Sequence, residues 1–288
     1  TLVVRGLPTS TDPFERTPHF QRPLRAPSTP GLATSPRTMN NGLLHVEVKE
    51  NGTLSLTRLQ DGLHFGGLLA LEDEADVGDG WVHCPPVNDL RISPVAGATS
   101  AVLHNGPLLA TLAIRLRMEI PEEFDTRTAS RSSRMTDLVV EHRVTLRAGE
   151  SHVEIETTVH NTARDHRLRV LFPSGAKTDT FLADAAFDVV ERPVALPADN
   201  HTRREPVTEA RPQQSWTAVH DTTRGLAVVT AGGLLEAGVR DTPERPVLLT
   251  LFRATGRTVM TDGEPGGQLS GDSLRFRFAI IPTDGAPD

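Results

Sequence analysis

The chemically richest stretch of the chain is Leu71 to Pro86, LEDEADVGDGWVHCPP. It sets four acids before Gly78, Asp79 and Gly80, and holds one of only two Trp in the sequence. Pro85 and Pro86 exclude a central strand there, and the segment reads as an exposed acidic loop. Carboxylates beside a large flat ring suit a sugar, which offers one apolar C–H face and a rim of hydroxyls. Asp79, Trp81 and His83 are therefore candidate sugar-binding residues. Other chemistries fit less well. An EF-hand beginning at Asp73 would place Ala75, Val77 and Cys84 where oxygen ligands belong. His83-Cys84 is an adjacent pair with no second pair at ligand spacing, so zinc held within this chain is not expected. The chain has eleven His and no G-x-S-x-G elbow, so no triad order is visible. His142 and His152 fall in alternating segments and are expected to face outward. Asp262 to Gln268 is Gly-rich but leads into a strand pattern, so it is no phosphate cradle.

Period-two patterning must position these groups. Leu44, Val46 and Val48 alternate with polar residues, Asn51-Gly52 is a hairpin turn, and Leu54 and Leu56 continue on the return. Leu112, Ile114, Leu116, Met118 and Ile120 form a second alternating strand. Val144 and Leu146, a turn at Ala148-Gly149, then Val153, Ile155 and Val159 form another hairpin. Leu226–Val229 and Val247–Phe252 are short apolar runs of the buried-strand kind, and Leu274, Phe276, Phe278 and Ile280 alternate near the end. No capped helix of three turns is apparent. Glu122–Thr136, rich in Arg, Ser and Thr, is expected to be a mobile loop. The expected fold is all-β, an antiparallel supersandwich over residues 41–288. Residues 1–40, with a proline every few positions, read as an extended lead-in or interdomain linker, with one short strand at Thr1–Arg5.

Composition narrows the function. The net charge of −7 argues against nucleic acid. No apolar stretch reaches membrane-spanning length, no secretory signal is visible, and Cys84 is alone, so a reducing cytoplasm is the expected location. With ten Phe, two Trp and no Tyr, few aromatic platforms exist for a self-sufficient lectin.

From Asn40 onward the chain resembles the C-terminal β region of glycoside hydrolase family 38, the α-mannosidases. NNGLLHVEVKENGTLSLTRLQDG resembles the family's opening hairpin and LEDEADVGDGWVHCPP its acidic loop. VVEHRVTLRAGESHVEIETTVHNTARDHRLRVLFPSG is the most specific match, and TFLADAAFDVVERP, RGLAVVTAGGLLEAGV and GGQLSGDSLRFRFAIIP follow in the family's order. The resemblance implies a galactose-mutarotase-like supersandwich. It implies an enzyme whose nucleophile and substrate-binding zinc belong to an N-terminal α/β domain that is not in this sequence, so no cofactor is expected here and this chain alone is expected to be inactive. It places the acidic-loop aromatic at Trp81, where the family often has Tyr, and a substrate-side Arg at Arg192, after Phe187. Gln268 joins these as a candidate substrate residue. The implied partners are an α-mannoside-type glycan and the catalytic domain or a second copy. The competing reading is a stand-alone sugar-binding or aldose-epimerase-like protein, which needs a His and a Glu facing one cleft; a structural remnant is a third.

Overall fold

Alternation builds the molecule. In Leu109–Pro121 the side chains of Leu112, Ile114, Leu116, Met118 and Ile120 are buried, while Arg117 and Glu119 face solvent. That strand pairs in continuous antiparallel register with Met135–Arg147. The computed structural model describes residues 30–204, 206–256 and 267–285. Among these residues the regular structure is strand throughout, apart from one 3-10 turn at Asn200–Thr202. The strand expected at Thr1–Arg5 lies outside the described residues.

The strands form three main sheets and a small hairpin. The first sheet has five strands in chain order, from Ala33–Ser35 and Thr38–Asn40 to His64–Leu68. Pairing thus begins ahead of residue 41. Its central hairpin turns at Asn51-Gly52, where Gly52 has φ +84°, a conformation open to glycine without strain. The largest sheet has nine strands. Its centre is Ser273–Thr283, Val153–His160 and Met135–Arg147; one edge is Thr99–Asn105 and the other Val189–Pro193. The third sheet runs Ala210–Pro212, Glu236–Val239, Pro246–Ala254, His166–Pro173 and Ala70–Ala75. One apolar cluster joins the inner faces of all three, from Leu44, Leu56 and Phe65 through Leu112 and Ile155 to Phe172, Leu249 and Ile280. Each such side chain contributes about 1.5–3 kcal/mol on leaving water. This is the antiparallel supersandwich expected from the patterning.

Three local expectations are overturned. The acidic segment is not a loop throughout: Ala70–Ala75 is a buried edge strand, and only the part after Asp76 leaves the sheet. His142 is fully buried rather than outward, because it shares the inner face with Val140 and Val144. Glu122–Thr136 is a short hairpin, Phe124–Asp125 against Ser130–Arg131, and Arg131 pins it by an ion pair to buried Asp73.

Candidate functional site: a charged sheet face beneath the Trp81 loop

Directly opposed residues of antiparallel strands share a face. Glu72 lies opposite Arg169, Glu74 opposite Arg167. The inner residues of the strand are Leu71 and Ala75, so Glu72, Glu74 and Asp76 project from the other side of the third sheet. There they meet a ladder of arginines. Arg169 Nη2 donates to Glu72 Oε1 at 2.6 Å and lies 2.9 Å from Glu74 Oε1. Arg167 binds Glu74 through Nε at 2.9 Å and Nη2 at 2.5 Å. Arg240 grips both oxygens of Glu72, and Arg253 holds Asp76 through Nε at 2.6 Å. Glu72, Glu74, Asp76, Arg167 and Arg169 are buried, with Arg169 only 1% exposed. Burial alone would raise the Glu72 carboxyl, but the Arg240 hydrogen bonds and the Arg169 charge bring it down to about 2. At the edge, Asp73 turns inward to His166 Nδ1 at 2.5 Å, and its backbone pairs with Ile92.

The ladder fixes the loop that follows. Arg253 also donates to the Asp79 carbonyl at 2.7 Å. The Asp79 carboxylate accepts the amides of Trp81 at 2.8 Å and Val82 at 3.1 Å, and those two bonds hold it below the usual carboxylate range. This Asx turn leaves the Trp81 indole 73% exposed. His83 folds back, with Nε2 3.0 Å from the Ala75 carbonyl. Burial, and then the Arg167 charge, push its pKa down.

Asp79, Trp81 and His83 form one wall of a cavity of about 660 Å3, with Thr208, Arg211 and Pro212 opposite and Glu236, Thr250 and Arg253 also lining it. Arg192 stands beside this cavity: it lies opposite the buried Phe181 and reaches from the edge of the nine-stranded sheet to the Pro212 carbonyl at 2.6 Å. Gln268 is elsewhere. Its side chain clamps Asp165, donating from Nε2 to Oδ1 at 2.6 Å and accepting the Asp165 amide at 2.9 Å. The structure therefore gathers three of the five sequence candidates, sets Arg192 next to them and leaves Gln268 out. Arg211, Glu236, Thr250 and Arg253 were not legible as site residues, because they come from strands far apart in the chain. The period-two acids at 72, 74 and 76 against Arg167 and Arg169 were a usable signal for the ladder.

The cavity offers one open aromatic face and several hydrogen-bonding groups, which is binding chemistry. Its carboxylates are already engaged: Glu236 Oε1 accepts Thr250 Oγ1 at 2.6 Å and Arg167 Nη1 at 3.4 Å. Among the described residues no group of three or more His, Cys, Asp and Glu could hold a metal ion. A second cavity of about 590 Å3 on the nine-stranded sheet does bring His152 and Glu154 together. There Glu154 is held by Arg147, and Glu156 by Arg143, Arg275 and Arg277. No helix of the described residues is long and apolar enough to cross a membrane.

Residues 39–257 match the model of the glycosyl hydrolases family 38 C-terminal domain. The chain belongs to this family. Its structure is similar to an α-mannosidase from Enterococcus faecalis V583, with TM-score 0.80 and 27% identity over 88% of this chain and 30% of that one. A second glycosyl hydrolase family 38 protein from Enterococcus faecalis matches with TM-score 0.75 and 26% identity, over 88% of this chain and 31% of its own. A protein of Halalkalibacterium halodurans, provisionally named a mannosylglycerate hydrolase, is 28% identical over 174 residues. That match covers 55% of this chain and 19% of the relative, so the chain spans only a minor part of the proteins it resembles.

Proposed function

We propose that this chain acts as the C-terminal β domain of an α-mannosidase-like glycoside hydrolase, supplying one wall of a sugar pocket and the surface on which the catalytic domain packs. The observation that carries the reading is Trp81, held open over the 660 Å3 cavity by the Asp79 turn in a family 38 domain. An exposed indole stacks on the apolar face of a pyranose, and Thr208, Arg211 and Glu236 lie within the same cavity to meet hydroxyls. The hydrolytic carboxylates and the substrate-binding zinc would belong to the catalytic domain, where retaining hydrolysis uses a nucleophile and an acid/base. This chain's part is positioning: burying one face of the sugar and excluding water beside it. A cytoplasmic enzyme fits the lone, exposed Cys84.

The test is the emission of Trp81 in a Trp216→Phe background during titration with methyl α-mannoside. Saturable quenching, lost in Trp81→Ala, is expected at millimolar sugar, because half a pocket binds weakly. No change up to about 50 mM, a free energy near −2 kcal/mol, would refute the pocket-wall reading.

A further inference from the structure

Every arginine of the ladder has a carboxylate. Two arginines at the rim of the same cavity have none among the described residues. Arg211 donates from Nη1 to the Thr208 carbonyl, and Arg192 donates from Nη1 to the Pro212 carbonyl at 2.6 Å. Among the described residues neither makes an ion pair, although the chain carries a net charge of −7. Among the described residues the acids lining or flanking the cavity are spoken for: Glu209 by Arg169 and Arg240, Glu236 by Thr250 and Arg167, Asp79 by its own turn. Both guanidiniums are half-buried. Arg192 donates to the carbonyl of the residue next to Arg211; burial, and then the Arg192 charge, hold Arg211 below the ordinary arginine value, while burial alone lowers Arg192.

Two partly buried like charges without an ion-pair partner repel each other. Each guanidinium carries five N–H donors, and a single carbonyl uses only part of that set. The carbonyls fix where the remaining donors sit, on the two sheet edges that meet at the cavity. Planar forks of this kind match the two oxygens of a carboxylate or phosphate, which would also neutralise the repulsion.

We propose that Arg192 and Arg211 form a receptor for an oxyanion, a carboxylate or a phosphate carried by the sugar ligand of the Trp81 cavity. The pair would then select charged over neutral glycosides. The proposal rests on the pocket-wall reading for the sugar, while the anion site itself is testable apart from it.

The experiment uses the 288-residue chain and three arms at matched ionic strength: inorganic phosphate, glycolate as a simple carboxylate, and chloride. Melting temperature and calorimetric affinity are read for the wild type, Arg211→Gln and Arg192→Gln. Phosphate or glycolate should stabilise the wild type beyond chloride, and the stronger of the two identifies which oxyanion the site takes. Either variant should bind that probe about tenfold more weakly or worse, the loss of a charge-assisted hydrogen bond. Without an oxyanion, Arg211→Gln should melt higher than the wild type, because the repulsion is gone. A merely structural arginine predicts the reverse, a lower melting point and no difference between the anions. That result, or equal oxyanion affinity in wild type and variants, overturns the proposal. Quenching of Trp81 by methyl α-mannoside with no oxyanion response also overturns it and leaves the pocket reading standing. Oxyanion binding that depends on both arginines without any mannoside response upholds the receptor and removes the pocket reading instead.

Discussion

His142 gives the domain an acid sensitivity that can be worked out in advance. Its ring is fully buried on the inner face of the nine-stranded sheet, with Nδ1 2.8 Å from Thr157 Oγ1 and Nε2 without a partner. Burial alone lowers its pKa from 6.5 to about 3. Protons therefore bind the unfolded imidazole below pH 6.5 but the folded one only near 3, so stability is lost as pH falls through that window. Linkage between those two values gives a loss of about 2 kcal/mol between pH 7 and pH 5. Most carboxylates still hold their charge across that interval. The assay is urea denaturation of the wild type and His142→Leu at pH 7 and pH 5. The variant gives up the Thr157 bond, and its absolute stability will shift for that reason. The informative quantity is the difference between the two pH dependences, in which contributions common to both proteins cancel. A wild type that loses about 2 kcal/mol more than the variant supports the reasoning. Parallel profiles would show that the folded core protonates His142 without penalty, and the argument would fall.

Three further outcomes are expected. Purified chain should not turn over an aryl α-mannoside with or without added zinc, and zinc-dependent release of the aryl group would contradict the assignment of catalysis to another domain. Glu74→Gln should destabilise the domain by about 3–5 kcal/mol, because Arg167 and Arg169 stay buried without their shared carboxylate; a loss under about 1 kcal/mol in chemical denaturation would mean water reaches the ladder. Trp81→Ala should cost about 1 kcal/mol or less, whereas Phe172→Ala in the core should cost about 3–5 kcal/mol, and equal losses would show that Trp81 is packing rather than wall.

The sequence makes strand identity legible wherever apolar and polar residues alternate, as in Leu112 to Ile120, because the pleat turns that alternation into an inner and an outer face. It misleads where polarity is taken to mean solvent. Glu72, Glu74 and Asp76 alternate with Leu71, Asp73 and Ala75 as regularly as any strand, yet their face is buried because arginines ninety or more residues away neutralise it. His142 carried the same lesson: Val140 and Val144 on either side put it on the inner face. Trp81, Asp79 and His83 were legible because they are neighbours in one loop. The opposite wall, Thr208 to Pro212, comes together with them only through the pairing of distant strands.

The charge ladder also bears on the order in which the chain acquires structure. Glu74 meets Arg167 across 93 residues, Glu72 meets Arg240 across 168, and Asp76 meets Arg253 across 177. During synthesis the acids emerge long before their partners, and ionised carboxylates resist burial while they are unpaired. The first sheet, whose strands pair with sequence neighbours, can form early. Ala70–Ala75 meets its partner strand and the first two arginines of the ladder only when His166–Pro173 has emerged, and its hydrated acids discourage edge-to-edge pairing with another nascent chain until then. A charged face that is expensive to assemble thus acts as a timer, keeping Ala70–Ala75 unpaired until His166–Pro173 can cover it.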